Sequence, residues 1–302
     1  MSTAPVRLVA ELAVPARATL GEGPVWDERA GLLYWVDILG RAVHRFDPAS
    51  GEDASFAVSV PVGAVALDRE GCLVLALADG FARCDPDGGG LERIGRTEAG
   101  APFRVGDAGV RFNDGKVDPA GRFYAGTMAW NERDPIGALY VLDPDETVRI
   151  VLEDVAVSNG LAWSADGRTL FYVDSPTCRV DRLDVDPATG SLANRRVAFE
   201  IPRSRGVPDG MAVDAEGCLW VALWDGSRVC RYSPSGECLA HLDLPVSRPT
   251  SVAFGGAGLT ELFVTTARIG LADRVLGVEP LSGGLFRCAV GVAGAPVGRF
   301  GD

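Results

Sequence analysis

The sequence predicts an all-β fold: a six-bladed β-propeller with four-stranded blades, its ring closed by the N- and C-terminal strands, in one domain spanning residues 1–302. Two observations predict it. A short pattern recurs six times along the chain, and its spacing is that of a propeller blade. The pattern is a polar or small residue, an apolar strand, a tight turn with Gly, and a second apolar strand.

The clearest copy is Val155 to Asp174. Asn159-Gly160 precedes a strand through Leu161 and Trp163, the turn Ala165-Asp-Gly-Arg168 follows, and Leu170, Tyr172 and Asp174 form the return strand. Asp-Gly between alternating apolar runs is a strong hairpin signal, because Gly accepts the positive φ of the turn. Glu22-Gly-Pro-Val-Trp-Asp27, Asp114-Gly-Lys-Val-Asp118 and Asp209-Gly-Met-Ala-Val-Asp214 are further copies. Val62-Gly-Ala-Val-Ala-Leu-Asp68 and Thr250-Ser-Val-Ala-Phe254 are weaker ones. Successive copies are 40, 52, 45, 50 and 41 residues apart. They lack the 3.6-residue period of helical repeats.

In chain order, residues 5–20 alternate Val6, Leu8, Ala10, Leu12 and Val14 and predict a strand that joins the last blade. That pairing would remove two open sheet edges. The outer hairpins are marked by Asp85-Pro-Asp-Gly-Gly89 and Asp186-Pro-Ala-Thr-Gly190, where Pro presets φ and Gly ends the turn. Four longer connections, 97–113, 128–137, 203–209 and 267–276, are expected to roof a pocket, since long loops in compact domains are usually functional.

A net charge of −12 excludes a nucleic-acid partner and gives no reason to expect an anionic membrane surface. No apolar run spans a bilayer and no secretory signal is evident, so the expected location is cytoplasmic. The seven Cys read as free thiols, with Cys218–Cys230 the conceivable disulfide. Only His44 and His241 occur. Their placement argues against a His-rich metal site or a Ser-His-Asp triad.

In a propeller the first strand of each blade lines the central channel, so the six residues that open the copies face the axis together. They are Glu22, Val62, Asp114, Asn159, Asp209 and Thr250. Glu22, Asn159 and Asp209 would each alone read as a turn residue. Their shared register instead gathers three carboxylates and an amide at one mouth, where a bound cation would relieve the repulsion. The oxygen donors suit one divalent ion, with Ca²⁺, Zn²⁺, Mn²⁺, Mg²⁺ and Fe²⁺ all open. Such an ion can polarise a carbonyl while a carboxylate takes a proton, chemistry that suits ester or lactone hydrolysis. Arg111, Asn113 and Asn131 would offer donors to a polyhydroxylated ligand; Arg111 reads equally as a structural partner of Asp114.

Leu20-Gly-Glu-Gly-Pro-Val-Trp26, Arg111-Phe-Asn-Asp-Gly-Lys-Val-Asp-Pro119, Ala125-Gly-Thr-Met128, Ser158-Asn-Gly-Leu-Ala-Trp163 and Pro208-Asp-Gly-Met211 together resemble the regucalcin/gluconolactonase (senescence marker protein) family, over nearly the whole chain. The resemblance implies a sugar-lactone hydrolase whose divalent cation is held by Glu22, Asn159 and Asp209. It implies Asp209 as general base and Arg111 and Asn113 as substrate contacts. The family's vertebrate branch carries Glu where this chain has Asn131. The expected substrate is a small-molecule sugar (aldono-) lactone such as gluconolactone, xylonolactone or arabinonolactone, handled by a monomer or weak homo-oligomer. The competing expectations are a non-enzymatic calcium-binding or scaffold propeller, and a hydrolase of another ester with Trp130 stacking on the substrate.

Overall fold

The turns encoded by the repeat are built around its Asp. Asp68 Oδ1 accepts from the Glu70 and Cys72 amides at 2.9 and 2.8 Å. Asp118 and Asp214 do the same for Ala120 and Arg122, and for Glu216 and Cys218. The carboxylate thus satisfies turn amides that no strand partner reaches. In blade four Ser164 replaces Asp, and its Oγ accepts from the Thr169 amide at 3.0 Å. The Gly three residues after the Asp sits at positive φ, +95° at Gly71 and +79° at Gly217, where a side chain would be strained.

The computed structural model describes residues 5–105 and 109–302. The strands form six sheets, five of four strands and one of five, arranged as the six blades of a propeller. The innermost strands are Gly21–Asp27, Val62–Leu67, Val110–Val117, Ser158–Trp163, Val207–Val213 and Pro249–Gly255. Six apolar clusters fill the spaces between neighbouring blades. The core is therefore a ring of inter-blade seams, which leaves the axis free for a site. Among the described residues helix is confined to short pieces, the longest being Asp273–Val278, which overlaps the end of the connection 267–276.

The terminal closure forms, but with half the expected stretch. Glu11–Val14 pairs antiparallel with Leu285–Ala289 and completes blade six. Val6–Val9 does not continue into that blade. It pairs parallel with Cys238–Asp243 as the fifth strand of blade five. Ala10 N donates to Asp243 O, and Arg7 pairs with the Asp243 carboxylate at 2.7 Å, which fixes the crossing between blades.

A second tie was not visible in the pattern. Residues 293–301 cross the end of the channel opposite Glu22. Ala295 N donates to Val213 O, Phe300 N to Leu67 O, and Gly301 N to Gly121 O, so one strap links blades five, two and three. Phe300 is buried in the seam between blades two and three.

All seven cysteines are free. His44 stacks on Trp35 and binds Asp53 Oδ2 through Nδ1 at 2.8 Å, a packing role. No helix among the described residues is long and apolar enough to cross a membrane.

Asp214 also accepts from Trp220 Nε1 and Arg231 Nε at its second oxygen. Asp214→Ala would strand two amides, an indole N–H and a guanidinium. We expect a loss of about 3–5 kcal/mol in urea unfolding followed by tryptophan fluorescence. An Asp214→Ala protein as stable as the parent would refute this account of the turn.

Candidate metal and substrate site

The axial mouth is positioned by carboxylates at the ends of second strands. Asp37 accepts from the Thr19 and Leu20 amides at 2.8 and 3.0 Å, fixing the chain just before Glu22. Asp174 Oδ1 accepts from the Val157 amide at 2.9 Å, fixing the chain before Asn159. The inner strands then meet closely. A Cβ on Gly160 would stand 2.6 Å from the Asp209 carbonyl oxygen. Glycine after the mouth residue is what lets Asn159 and Asp209 become neighbours.

Glu22, Asp114, Asn159 and Asp209 are all buried there. A hydrogen-bonded arc runs behind them from blade three to blade five. Arg111 Nη1 donates to Asn113 Oδ1 at 2.8 Å. Asn113 Nδ2 donates to Ser158 O at 2.9 Å and to Asn159 Oδ1 at 3.3 Å. Asn159 Nδ2 donates to Ser175 Oγ at 2.9 Å, and Ser175 Oγ donates to Pro208 O at 2.7 Å, beside Asp209. Ser158 Oγ in turn accepts from buried Tyr172 at 2.7 Å. Ser175 and Tyr172 have no distinctive sequence context, and the repeat alone did not single them out.

The charges in this space oppose one another. Burial pushes the Glu22 carboxyl well above its usual range, and Asp209 and Asp114 push it further. Burial raises Asp209 likewise, with Asp114 adding to it. Asp114 is raised by burial, although Lys116 and the Gly115 amide pull it back. Asp209 Oδ1 is buried without a hydrogen-bond partner among the described residues. A solitary acceptor among like charges is the environment a cation would satisfy. Among the described residues no three His, Cys, Asp or Glu side chains are grouped to hold an ion. A cation here would therefore draw on the amide oxygen of Asn159 beside the Glu22 and Asp209 carboxylates.

The remaining sequence candidates divide. Arg111 and Asn113 lie at the mouth, both buried. Burial lowers the Arg111 pKa, while Glu132 and Glu22 hold its charge. Its guanidinium stands 5.5 Å from the ring of Trp130, which is half exposed. Asn131 is exposed and spent within its own loop. Its Nδ2 donates to Asp134 Oδ2 at 2.7 Å and its Oδ1 accepts the Arg133 and Asp134 amides. The acidic group that acts on Arg111 from this loop is Glu132, one residue further along. Of the other axial positions, Val62 is apolar and buried, and Thr250 Oγ1 donates to Gly21 O. In the connection 97–113, residues 106–108 lie outside the described residues.

The family described as SMP-30/Gluconolactonase/LRE-like region matches residues 20–268. Regucalcin of Xenopus laevis is 40% identical over 291 residues, covering 94% of this chain and 95% of its own. Regucalcin of Gallus gallus is 42% identical over 287 residues, covering 93% and 94%. Among solved structures, a calcium-binding protein, regucalcin from Agrobacterium tumefaciens, superposes with a TM-score of 0.90 at 28% identity and covers 99% of each chain.

The raised carboxyls give a signed pH dependence. The folded protein binds their protons more tightly than the unfolded chain does. The contribution of these carboxyls to the stability of the cation-free protein should thus be fully present below the ordinary carboxylate range and be lost as pH rises through the elevated folded values. Glu22→Gln removes one of the three charges. In chelator, its thermal midpoint should fall less than that of the parent between about pH 5 and about pH 8. Parallel curves for the two proteins would remove the repulsion argument.

Proposed function

The chain belongs to the SMP-30/gluconolactonase/LRE-like family, and we propose that its acidic channel mouth binds one divalent cation and hydrolyses a sugar lactone to the open sugar acid. The observation that most supports this is the partnerless Asp209 Oδ1 within a buried set of repelling carboxylates. We assign Glu22, Asn159 and Asp209 to the cation. When bound, a divalent ion would supply Lewis acidity to a lactone carbonyl and offset the negative charge. The oxygen-only donor set favours a hard ion such as Ca²⁺, Mg²⁺ or Mn²⁺ over softer competitors.

The chain's own groups take the remaining roles in this reading. Asp209 accepts the proton of the attacking water. Its elevated pKa moves it toward the range where a carboxylate is an effective base. A carboxylate has two oxygens, so ligand and base do not compete for one atom. Arg111 keeps one nitrogen on Asn113 and the Phe112 carbonyl. Among the described residues its other N–H groups make no hydrogen bond, and they would serve substrate oxygens. Asn113 is a positioning residue, since its side chain already bonds Arg111, Ser158 and Asn159. Asn131 holds the turn that carries Trp130 and Glu132 at the rim. Free thiols throughout suit a reducing, cytosolic setting.

A second reading is favoured by the solved relative from Agrobacterium tumefaciens, which is described as a calcium-binding protein. Under it the same mouth holds calcium without turnover.

Lactone hydrolysis followed by acid release separates the two. Metal-stripped protein would be assayed on glucono-, galactono-, xylono- and arabinono-lactones, with and without each divalent ion. We expect turnover to return with the ion and to fall by roughly 10²–10⁴-fold in Asp209→Ala. Calorimetrically demonstrated ion binding with no rate above spontaneous hydrolysis would overturn the lactonase reading and leave the binding one.

A further inference from the structure

The acidic mouth is one end of the axial channel; the other end holds a chamber of about 340 Å³. That volume lies at the lower end of the roughly 300–1,000 Å³ of small-molecule pockets. Its existence follows from the sequence of the inner strands. The residue two before the turn-capping position is Val25, Ala66, Lys116, Ala162, Ala212 and Ala253 in successive blades, and all six line the chamber. Four alanines around an axis leave the space that larger side chains would have filled. Phe254 and the strap residue Val297 add apolar wall. The strap crosses the opening without sealing it, and Val297 remains 43% exposed.

Lys116 is the exception in this ring. It is the one charged side chain among the residues lining the chamber, and none of them is acidic. An ammonium carries three donors. Lys116 Nζ uses one, to the Met211 carbonyl at 2.5 Å, and makes no ion pair among the described residues. Asp114 and Glu22, both of the acidic mouth, act on its charge at longer range. Apart from Ser164 and Trp163, the other side chains lining the chamber are apolar. A half-buried cation with unused donors beside a largely apolar cavity is complementary to an anion that brings its own apolar surface.

We propose that this chamber is a second ligand site, binding a small carboxylate with an apolar body, its carboxylate on Lys116 and its hydrocarbon part among Ala66, Ala162, Ala212, Ala253 and Phe254. The site is separate from the acidic mouth and does not depend on what that mouth catalyses. Acetate would lack the apolar surface and hexanol would lack the charge, so hexanoate is the probe that has both.

The test is calorimetric titration of the full chain with hexanoate, hexanol and acetate, in calcium and in chelator. We expect hexanoate to bind the parent at least about tenfold more tightly than either control, because only it satisfies both the ammonium and the cavity. Lys116→Met keeps the length and removes the charge, so it should abolish the preference for hexanoate over hexanol. Ala212→Leu fills the chamber and should weaken both. Equal binding of hexanoate and hexanol by the parent, or a preference that survives Lys116→Met, would overturn the proposal. If Lys116→Met does not fold, hexanoate affinity unchanged in both Ala212→Leu and Ala162→Leu would overturn it instead.

Discussion

Everything at the centre of this molecule depends on how closely six inner strands can approach one axis. The approach is limited by side chains, and the sequence removes them where the strands meet. A Cβ on Gly63 would lie 2.5 Å from the Phe112 carbonyl carbon, and one on Gly160 would press on the Asp209 carbonyl. With those positions bare, the residue just before each one is thrust toward the axis. Gly23, Gly115 and Gly210 follow the carboxylates Glu22, Asp114 and Asp209 in the same register. The same closeness that builds the ring therefore concentrates negative charge in a space that water screens poorly. Val62 and Thr250 hold the same register without charge, so the electrostatic demand comes from the residues chosen at the other blades and not from closure itself.

Much of this was legible in the chain. The repeat located all six inner strands, and four of the residues opening the copies, Glu22, Asp114, Asn159 and Asp209, are buried on those strands. Four of the copies end in an Asp whose side chain caps turn amides, a role that the repeat pattern did not spell out. Reading failed where the period gives out. Alternation from Val6 to Val14 fits a strand anywhere, and nothing local says that Val6–Val9 joins a different blade from Glu11–Val14. Asn131 illustrates a different limit. Alignment by motif placed it at the rim, but one step of loop geometry turns its side chain onto Asp134 and brings the charge of Glu132 to bear on Arg111. Ser175 reaches the arc between Asn159 and Pro208 from the 3-10 turn just after a second strand, a tertiary contact with no local signature.

The two ends of the channel show how one short segment can serve opposite surroundings. In Asp114-Gly-Lys-Val-Asp118 the first residue faces the acidic mouth, the third the apolar chamber, and the fifth caps a turn. Lys116 tempers the carboxylates above it and is the only charge in the wall below. In the other blades this level is alanine or valine, so the asymmetry of the channel is written by a single blade.

The way the ring is closed also has a bearing on how the protein is made. The outer strand of blade six is Glu11–Val14, whereas its other strands lie between Pro249 and Ala289. During synthesis the first of these emerges long before its partners exist. Until then the nascent chain carries an unfinished circle with an unpaired strand at each end, held open for most of translation. Contacts of such high sequence separation are slow to form and expose edges meanwhile. The strap at residues 293–301, which follows blade six along the chain and binds three blades at once, would act as a latch on that slow assembly.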